Sequence, residues 1–295
     1  MRGAKPTRAL ELVIERARSL RDGEAVVVAC SGGPDSVALA ALVSAGAPKH
    51  RWRPLLAHVN HGLRASAWQD EAVTLRVGAA LGLAVRIVAL ENQRADEAAL
   101  RAARYAALER VALETGASAV ATAHTAEDQT ETVLLALFRG TGTAGLAGMP
   151  ARRRLDAGVD LCRPLLRCDH KSLLHYCHLA GLPYALDPTN ADVRYRRNAV
   201  RTALEALRPS FPGLDRAVAR AAEVVADESA GEERALLRRR VRDALREAGG
   251  LADIDFEHVE SAVRALERAG AGRFHIKRKV DVTIGGSGLA VNRRS

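Results

Sequence analysis

The segment Ser31-Gly32-Gly33-Pro34-Asp35-Ser36 follows an apolar, β-branched run at residues 25–30 and precedes a helical run at residues 37–43. A strand, a tight glycine-rich turn and a helix N-terminus together form a phosphate-binding geometry. The glycines let backbone N–H groups approach the anion, and the helix dipole attracts it. Because no lysine follows the glycines, the segment is not a Walker loop, and it also lacks the dinucleotide fingerprint. Taken alone, the segment is also compatible with an ordinary Gly-Pro turn.

Composition and charge describe a basic, globular chain. Its 295 residues are 48% hydrophobic and 27% charged, which suits one large or two smaller domains. No apolar run approaches the roughly 18 residues of a membrane span. Residues 1–20 predict an amphipathic helix and no secretion signal, so we expect a cytoplasmic protein without a membrane partner. The net charge of +9 fits a nucleic-acid partner and equally an arginine-rich solvated surface.

The four cysteines contain no C-x-x-C pair. This spacing argues against a zinc or iron–sulfur site, and a reducing compartment argues against disulfides. Cys30 ends the first apolar run and is predicted to be a small buried residue.

Apolar runs alternate with helical spacing along the first 210 residues or so. The predicted strands lie at residues 25–30, 53–61, 83–90, 118–123 and 159–166, and the predicted later helices at 66–81, 95–114, 127–138 and 171–180. This alternation predicts an α/β fold with a parallel sheet covered on both faces. Ligands of such sheets bind at the carboxyl ends of strands. The side chains predicted at those ends are His58, Asn60, His61 and His124.

The chain changes character after Pro209 and Pro212. A long helical stretch at residues 214–248 is followed by an amphipathic helix at 256–269. The last residues are β-prone, with a glycine-rich turn at 285–288 that predicts a terminal hairpin. We therefore predict two domains, residues 1–212 and a small helical or α+β domain at residues 213–295.

Five segments, in order over roughly the first 210 residues, resemble the tRNA(Ile)-lysidine synthetases, a branch of the PP-loop ATP pyrophosphatases. They are Ser31–Ser36, His58–Arg64 (HVNHGLR), Ala103–Tyr105 (ARY), His124–Thr132 (HTAEDQTET) with Arg139–Gly142 (RGTG), and Asp187–Asn190 (DPTN) with Arg197-Asn198. The resemblance implies an adenine nucleotide alpha hydrolase-like domain at residues 1–212 and a small tRNA-binding domain at 213–295. It also implies a short form, without the most C-terminal domain of longer relatives.

This family joins L-lysine to ring position 2 of the first anticodon cytidine of tRNA(Ile) with a CAU anticodon. ATP first adenylates the carbonyl at that position, and the lysine amine then displaces AMP. The resemblance therefore implies ATP as a substrate, Mg²⁺, lysine and this tRNA as ligands. A homodimer is left open.

The resemblance also assigns site residues. ATP binding falls to Ser31, Gly32, Gly33, Pro34, Asp35, Ser36, His58 and Asn60, with Asp35 as the magnesium ligand. Catalysis falls to Asp35, Arg104, His124, Asp128, Glu131 and Arg197. Asp128 and Glu131 share one face of a predicted helix and are assigned to the lysine amines. A metal site and a solvated acidic first turn are the alternatives for this pair, and a helix cap is the alternative for Asp35.

Three basic clusters, at residues 152–154, 238–240 and 277–279, would follow the tRNA backbone or lie on a solvated surface. Arg196 and Arg201 would contact tRNA phosphates or have no specific role. The competing functions are a tRNA cytidine thiolase of the same superfamily, a non-catalytic RNA-binding protein and another adenylating ligase. The missing C-x-x-C argues against the thiolase. The intact phosphate loop, with Asp128 and Glu131, argues against a decayed nucleotide fold.

Overall fold

The computed structural model describes residues 19–60, 67–90, 97–185, 196–230, 233–247, 256–269, 272–277, 280–285 and 288–293. The predictions for the N-terminal helix, for residues 61–64, for residues 187–190 and for the Arg196 side chain lie outside the described residues. The chain divides into two compact units, one of residues 1–140 and 148–219, the other of residues 141–147 and 220–295. The domain boundary after residue 212 stays a prediction.

The first unit is built on a six-stranded sheet with the order β3-β2-β1-β4-β6-β5. Its strands are β1 (Ala25–Ala29), β2 (Arg53–Asn60), β3 (Val85–Ala89), β4 (Ala119–Ala121), β5 (Arg152–Arg154) and β6 (Asp160–Cys162). All neighbours pair in parallel except β5, which runs antiparallel to β6. The predicted α/β fold with a parallel sheet is confirmed. The arginine run at 152–154 is a short edge strand, which the charge pattern did not predict.

Helices cover both faces of this sheet. They include α1 (Pro34–His50), α2 (Ala67–Leu81) and α3 (Glu97–Thr115). The first unit also contains α4 (Ala126–Phe138), α6 (His170–Leu179) and α7 (Arg196–Leu207), while α5 (Thr143–Leu146) belongs to the second unit. Successive side chains of a strand point to opposite faces. Val26 and Val28 accordingly pack with α1 and α6, and Val27 packs with α3. All three valines are 0% exposed, so β1 is buried on both sides, as its continuous apolar run predicts.

The second unit combines helices with a small antiparallel sheet. Its helices include α9 (Glu233–Glu247) and α10 (Phe256–Ala269), preceded by α8 (Leu214–Ala230). The sheet has the order β7-β8-β9, formed by Gly272–Lys277, Val280–Gly285 and Gly288–Arg293. The structure thus differs from the predicted single helical stretch and terminal hairpin in having two helices and three strands. None of the helices in the described part of the chain is both long and apolar enough to span a bilayer.

A buried ion network holds three helices of the second unit together. Arg238 of α9 is fully buried and pairs with Glu260 of α10 and with Asp227 of α8. Glu260 is also fully buried, and buried charges are tolerated only when they are paired. The cluster at 238–240 was predicted to follow the tRNA backbone or to lie on a solvated surface, and both are wrong for Arg238, which is buried. That arginine is structural, whereas Arg239 is exposed.

We expect Arg238→Met to lower the free energy of unfolding by about 3 kcal/mol or more, because the substitution leaves the Glu260 carboxylate buried without its partner. Denaturant unfolding followed by circular dichroism measures this. Arg239→Met, one residue away, is the matched control and should stay within about 0.5 kcal/mol of wild type. Equal losses in the two variants would contradict a special role for Arg238.

Candidate active site

The phosphate loop joins β1 to α1, as predicted. The Ser36 hydroxyl accepts a hydrogen bond from the Ser31 backbone N at 3.1 Å and donates to the Gly33 carbonyl at 2.8 Å, so Ser36 shapes the loop from within. Gly32 has a φ of +87°, and a Cβ there would lie 3.2 Å from the Asp70 carbonyl oxygen. Among the described residues, no side chain caps the N-terminus of α1 at Gly33. Its first N–H groups therefore stay available to an anion.

Asp35 lies in the first turn of α1 beside this loop. Its Oδ1 lies 2.8 Å from Nδ1 of His170, at the start of α6. The hydrogen bond with Asp35 raises the pKa of His170, although burial opposes the effect. The backbone N of His170 donates to Glu127 Oε1 at 2.9 Å. His170, which the sequence did not indicate, therefore orients the one carboxylate of the loop helix.

His58 and Asn60 lie at the carboxyl end of β2, as predicted. His58 is buried, and its Nδ1 lies 2.9 Å from the Cys30 carbonyl oxygen and 3.4 Å from the Thr74 hydroxyl. The Asn60 amide donates to Glu71 Oε1 at 2.6 Å. These contacts tie β2 to the end of β1 and to α2. Cys30 itself is 1% exposed, which confirms the prediction of a buried residue.

His124 lies just beyond the carboxyl end of β4, the strand next to β1. Its Nδ1 is 2.9 Å from the Thr122 hydroxyl. Burial lowers the pKa of His124 well below 6.5, and nearby guanidinium groups lower it further. Those groups belong to Arg163, Arg101, Arg104 and Arg197. The imidazole is therefore neutral at neutral pH.

Asp128 has two roles at the start of α4. Its Oδ2 accepts from the Thr125 backbone N at 3.0 Å in a capping box, as an acidic first turn predicts. Its Oδ1 accepts from Arg197 Nη2 at 2.7 Å. Asp128 is thus both a helix cap and a member of an ion pair.

Glu131 lies one turn further along α4, and its side chain is 2% exposed. It accepts from Arg197 Nε at 2.6 Å and from Arg201 Nε at 2.7 Å. Residues 197 and 201 share one face of α7 because they are four apart. Asp128, Glu131, Arg197 and Arg201 form one group, which we call the carboxylate–guanidinium cluster. The structure brings the three predicted members, Asp128, Glu131 and Arg197, together and adds Arg201. The four-residue spacing between Arg197 and Arg201 is the sequence feature that could have indicated Arg201 as a member.

Arg104, the remaining predicted site residue, lies among other arginines around Tyr105. The guanidinium carbons of Arg101, Arg104 and Arg153 lie 5.5, 5.7 and 5.4 Å from the Tyr105 ring centroid. Burial would raise the pKa of Tyr105, but the positive charges around it, led by Arg101, lower it. The sequence predicted only Arg104 here. Arg101 lies one turn before it on α3, whereas Arg153 comes from β5, and no local pattern connects β5 with this helix.

The neutral state of His124 gives a stability prediction. The unfolded chain takes up a proton on this imidazole near pH 6.5, whereas the folded chain resists it, so the contribution to stability is present above about pH 6.5 and is lost as the pH falls. We expect the stability of wild type relative to His124→Gln to fall by at most about 1.4 kcal/mol per pH unit below that point. Urea unfolding across this range measures the difference. Parallel pH profiles for the two proteins would contradict the prediction.

Two kinds of comparison place the chain among known proteins. The PP-loop domain family matches residues 6–207. The tRNA(Ile)-lysidine synthase of Salinispora tropica is 44% identical over 77% of this chain and 70% of its own length. That of Dehalococcoides mccartyi is 32% identical over 88% of this chain and 64% of its own length.

A solved structure shares the fold at low identity. The U34-tRNA thiolase of Methanococcus maripaludis superposes with a TM-score of 0.63 and 18% identity, covering 74% of this chain and 78% of the thiolase. At this identity the likeness concerns the fold alone.

Proposed function

The chain belongs to the tRNA(Ile)-lysidine synthases of the PP-loop family, and we propose that it joins L-lysine to ring position 2 of the first anticodon cytidine of tRNA(Ile) with a CAU anticodon. It is a ligase that forms a C–N bond at the expense of ATP, and lysidine, AMP and pyrophosphate are its products. We place this activity in the cytoplasm. A homodimer stays a prediction.

One observation carries the proposal. The phosphate loop follows β1, and the two carboxylates of the carboxylate–guanidinium cluster lie on the helix that follows β4. These two strands are neighbours in the sheet. Their carboxyl ends lie at the same edge, where ligands of parallel sheets bind. A nucleotide held at the loop and an amine held at the cluster would therefore meet at one edge.

The adenylation step uses the free N–H groups at the start of α1. The oxygen at cytidine position 2 attacks the α-phosphorus of ATP, and pyrophosphate leaves with the electrons of the broken P–O bond. The N–H groups and the helix dipole would stabilise the charge that develops on the pyrophosphate.

Asp35 is the residue that would hold Mg²⁺. Mg²⁺ is commonly bound by one or two carboxylates together with substrate phosphates and water, so a single carboxylate beside the phosphate loop fits this ion. The side chain of Asp35 is 29% exposed, and His170 fixes its direction. When bound, the ion would neutralise phosphate charge.

The lysine step uses the carboxylate–guanidinium cluster. Asp128 is 25% exposed at its side chain and Glu131 only 2%, so Asp128 is the carboxylate that an incoming ammonium group can reach. Glu131 would position Arg197 and Arg201. The amine must lose a proton before its lone pair attacks ring position 2, and the C–O bond to AMP then breaks. A carboxylate near the amine would hold it in place and accept that proton.

The buried thiols argue against sulfur transfer. All four cysteines are buried and free. Burial raises the pKa of the Cys162, Cys168 and Cys177 thiols to about 12 in each case. Such thiols stay protonated, and the thiolate is the form that attacks sulfur or binds metal.

The test is an incubation of purified protein with ATP, Mg²⁺, labelled lysine and tRNA(Ile) with a CAU anticodon, followed by nucleoside mass spectrometry. We expect a lysine-adducted cytidine with this tRNA and none with methionine tRNA. A folded, ATP-binding protein that forms no adduct would overturn the proposal and favour another adenylating reaction.

A further inference from the structure

Four guanidinium groups converge beside Tyr105, and the reaction steps derived above use none of them. Arg101 and Arg104 lie on α3, and Arg153 lies on β5. Arg163 directly follows the last residue of β6. We call these four residues the arginine cluster. Arg101 donates to the Tyr105 hydroxyl at 3.3 Å, and Arg163 is 2% exposed and donates to the Pro150 carbonyl at 2.8 Å.

Within the described part of the chain, no carboxylate pairs with any member of the arginine cluster. The contrast with the neighbours of Arg153 on β5 is direct. Arg152 and Arg154 both bind Asp160, at 2.5 and 3.3 Å, on the opposite side of the strand. Because successive side chains of β5 point to opposite faces, the two arginines that are paired with Asp160 lie on one face of the strand and Arg153 lies on the other.

Positive charge is concentrated in the cluster at a cost to the fold. Burial lowers the pKa of Arg163, and the charges of Arg153 and Arg101 lower it further, which means that these groups repel one another. The Nε of Arg163 is buried without a hydrogen-bond partner among the described residues. Uncompensated buried charge is destabilising, and such arrangements persist mainly at functional sites.

A phosphate has the charge and the hydrogen-bond acceptors that would neutralise the arginine cluster. Guanidinium groups match the geometry of phosphate oxygens and bind them in pairs. A phosphate placed here would satisfy both the excess charge and the unused donors.

The cluster lies on a different face of the sheet from the ATP phosphate loop. Tyr105 packs with Val27 on the α3 side, whereas α1 packs with Val26 and Val28 on the other side. The ATP phosphates already have a site at α1, so a second source of phosphate is required. Three of the four guanidiniums also act on the pKa of His124, so the cluster lies close to the reacting edge.

We propose that Arg101, Arg153 and Arg163, with Arg104, bind one backbone phosphodiester of the RNA substrate adjacent to the cytidine that reacts. This inference rests on the proposed function, because it takes the RNA as the substrate. The bound phosphate would fix the position of the nucleotide relative to His124 and the carboxylate–guanidinium cluster.

Arg153→Gln tests the site, with Arg154→Gln as its matched control on the opposite side of β5. We expect Arg153→Gln to bind tRNA(Ile) about tenfold more weakly and to reduce the slope of log K against log salt by about one, with ATP affinity unchanged. Arg154→Gln should behave as wild type. If Arg153→Gln does not fold, Arg101→Gln tests the same site from α3. Its matched control is Arg110→Gln, which changes an exposed arginine of the same helix.

A set of tRNAs with single neutral methylphosphonates around the anticodon locates the phosphate. One of them should bind wild type and Arg154→Gln more weakly than unmodified tRNA, and this loss should be clearly smaller for Arg153→Gln, because the variant has already lost one of the groups that contact the phosphate. The inference is overturned if Arg153→Gln weakens ATP instead of tRNA, or if it binds tRNA as wild type does. Either result would leave the proposed function intact, provided that the wild type forms lysidine. A wild-type protein that forms no lysidine would contradict the proposed function, whatever the result for Arg153→Gln.

Discussion

Asp35→Asn is expected to lower the rate of lysidine formation by about 10³-fold. The amide keeps the size of the side chain and a hydrogen-bonding partner for His170, but it removes the negative charge from the phosphate loop. The substitution therefore isolates the charge that we propose for magnesium binding. The measurement is single-turnover lysidine formation by nucleoside mass spectrometry, together with the affinity for ATP with and without Mg²⁺.

The ATP measurement tests whether the charge of Asp35 acts through Mg²⁺. In wild type, Mg²⁺ should strengthen ATP binding, and in Asp35→Asn this gain should be largely lost. Asp22→Asn removes an exposed carboxylate that contacts His50 and serves as the control, with activity expected to equal that of wild type. An Asp35→Asn protein with nearly normal turnover would contradict a role of Asp35 in magnesium binding.

Asp128→Asn is expected to lower kcat/KM for lysine by about 10²-fold, because truncating one partner of a hydrogen-bonded charge pair costs several kcal/mol. Asparagine can still accept the hydrogen bond from the Thr125 backbone N, so the helix cap should survive. ATP affinity should not change. Steady-state kinetics with lysine as the varied substrate gives the result.

Glu127→Gln is the matched control for this experiment, since it removes the same charge from the same helix terminus. We expect less than about a threefold change in kcat/KM for lysine, because Glu127 accepts from the His170 backbone N and a glutamine oxygen can still accept that hydrogen bond. Equal losses in both variants would mean that the charge of the helix end matters and not the lysine contact. A normal rate for Asp128→Asn would remove Asp128 from the site.

Local patterns were enough to predict the sheet and the edge that carries the site. The apolar run at residues 25–30 predicted β1, and the glycine-rich segment after it predicted a phosphate loop at the start of α1. His124 and the pair Asp128 and Glu131 were predicted at the end of the neighbouring strand. Side-chain periodicity and the geometry of strand ends, which are set over a few residues, were enough for the strand, the loop and the place of His124. The site roles of Asp128 and Glu131 came from the family resemblance.

Charge patterns were the weakest part of the sequence interpretation. The runs at 152–154 and 238–240 each look like solvated basic surface, yet Arg152 lies in a buried ion group and Arg238 is fully buried. Whether an arginine pairs depends on carboxylates far away in the sequence, such as Glu24 and Glu260. A run of like charges contains no information about them.

The sequence by itself determined the α/β fold, the phosphate loop and the residue types of the candidate site. Only the tertiary structure decided which charges are neutralised. It joined Arg201 to Glu131 and His170 to Asp35. Among the residues that the structure describes, it left Arg153 without a carboxylate while Arg154, the next residue, has one. The physical reason is that periodicity acts within one element, whereas the electrostatic state of a side chain is set by whatever other elements bring within a few ångströms of it.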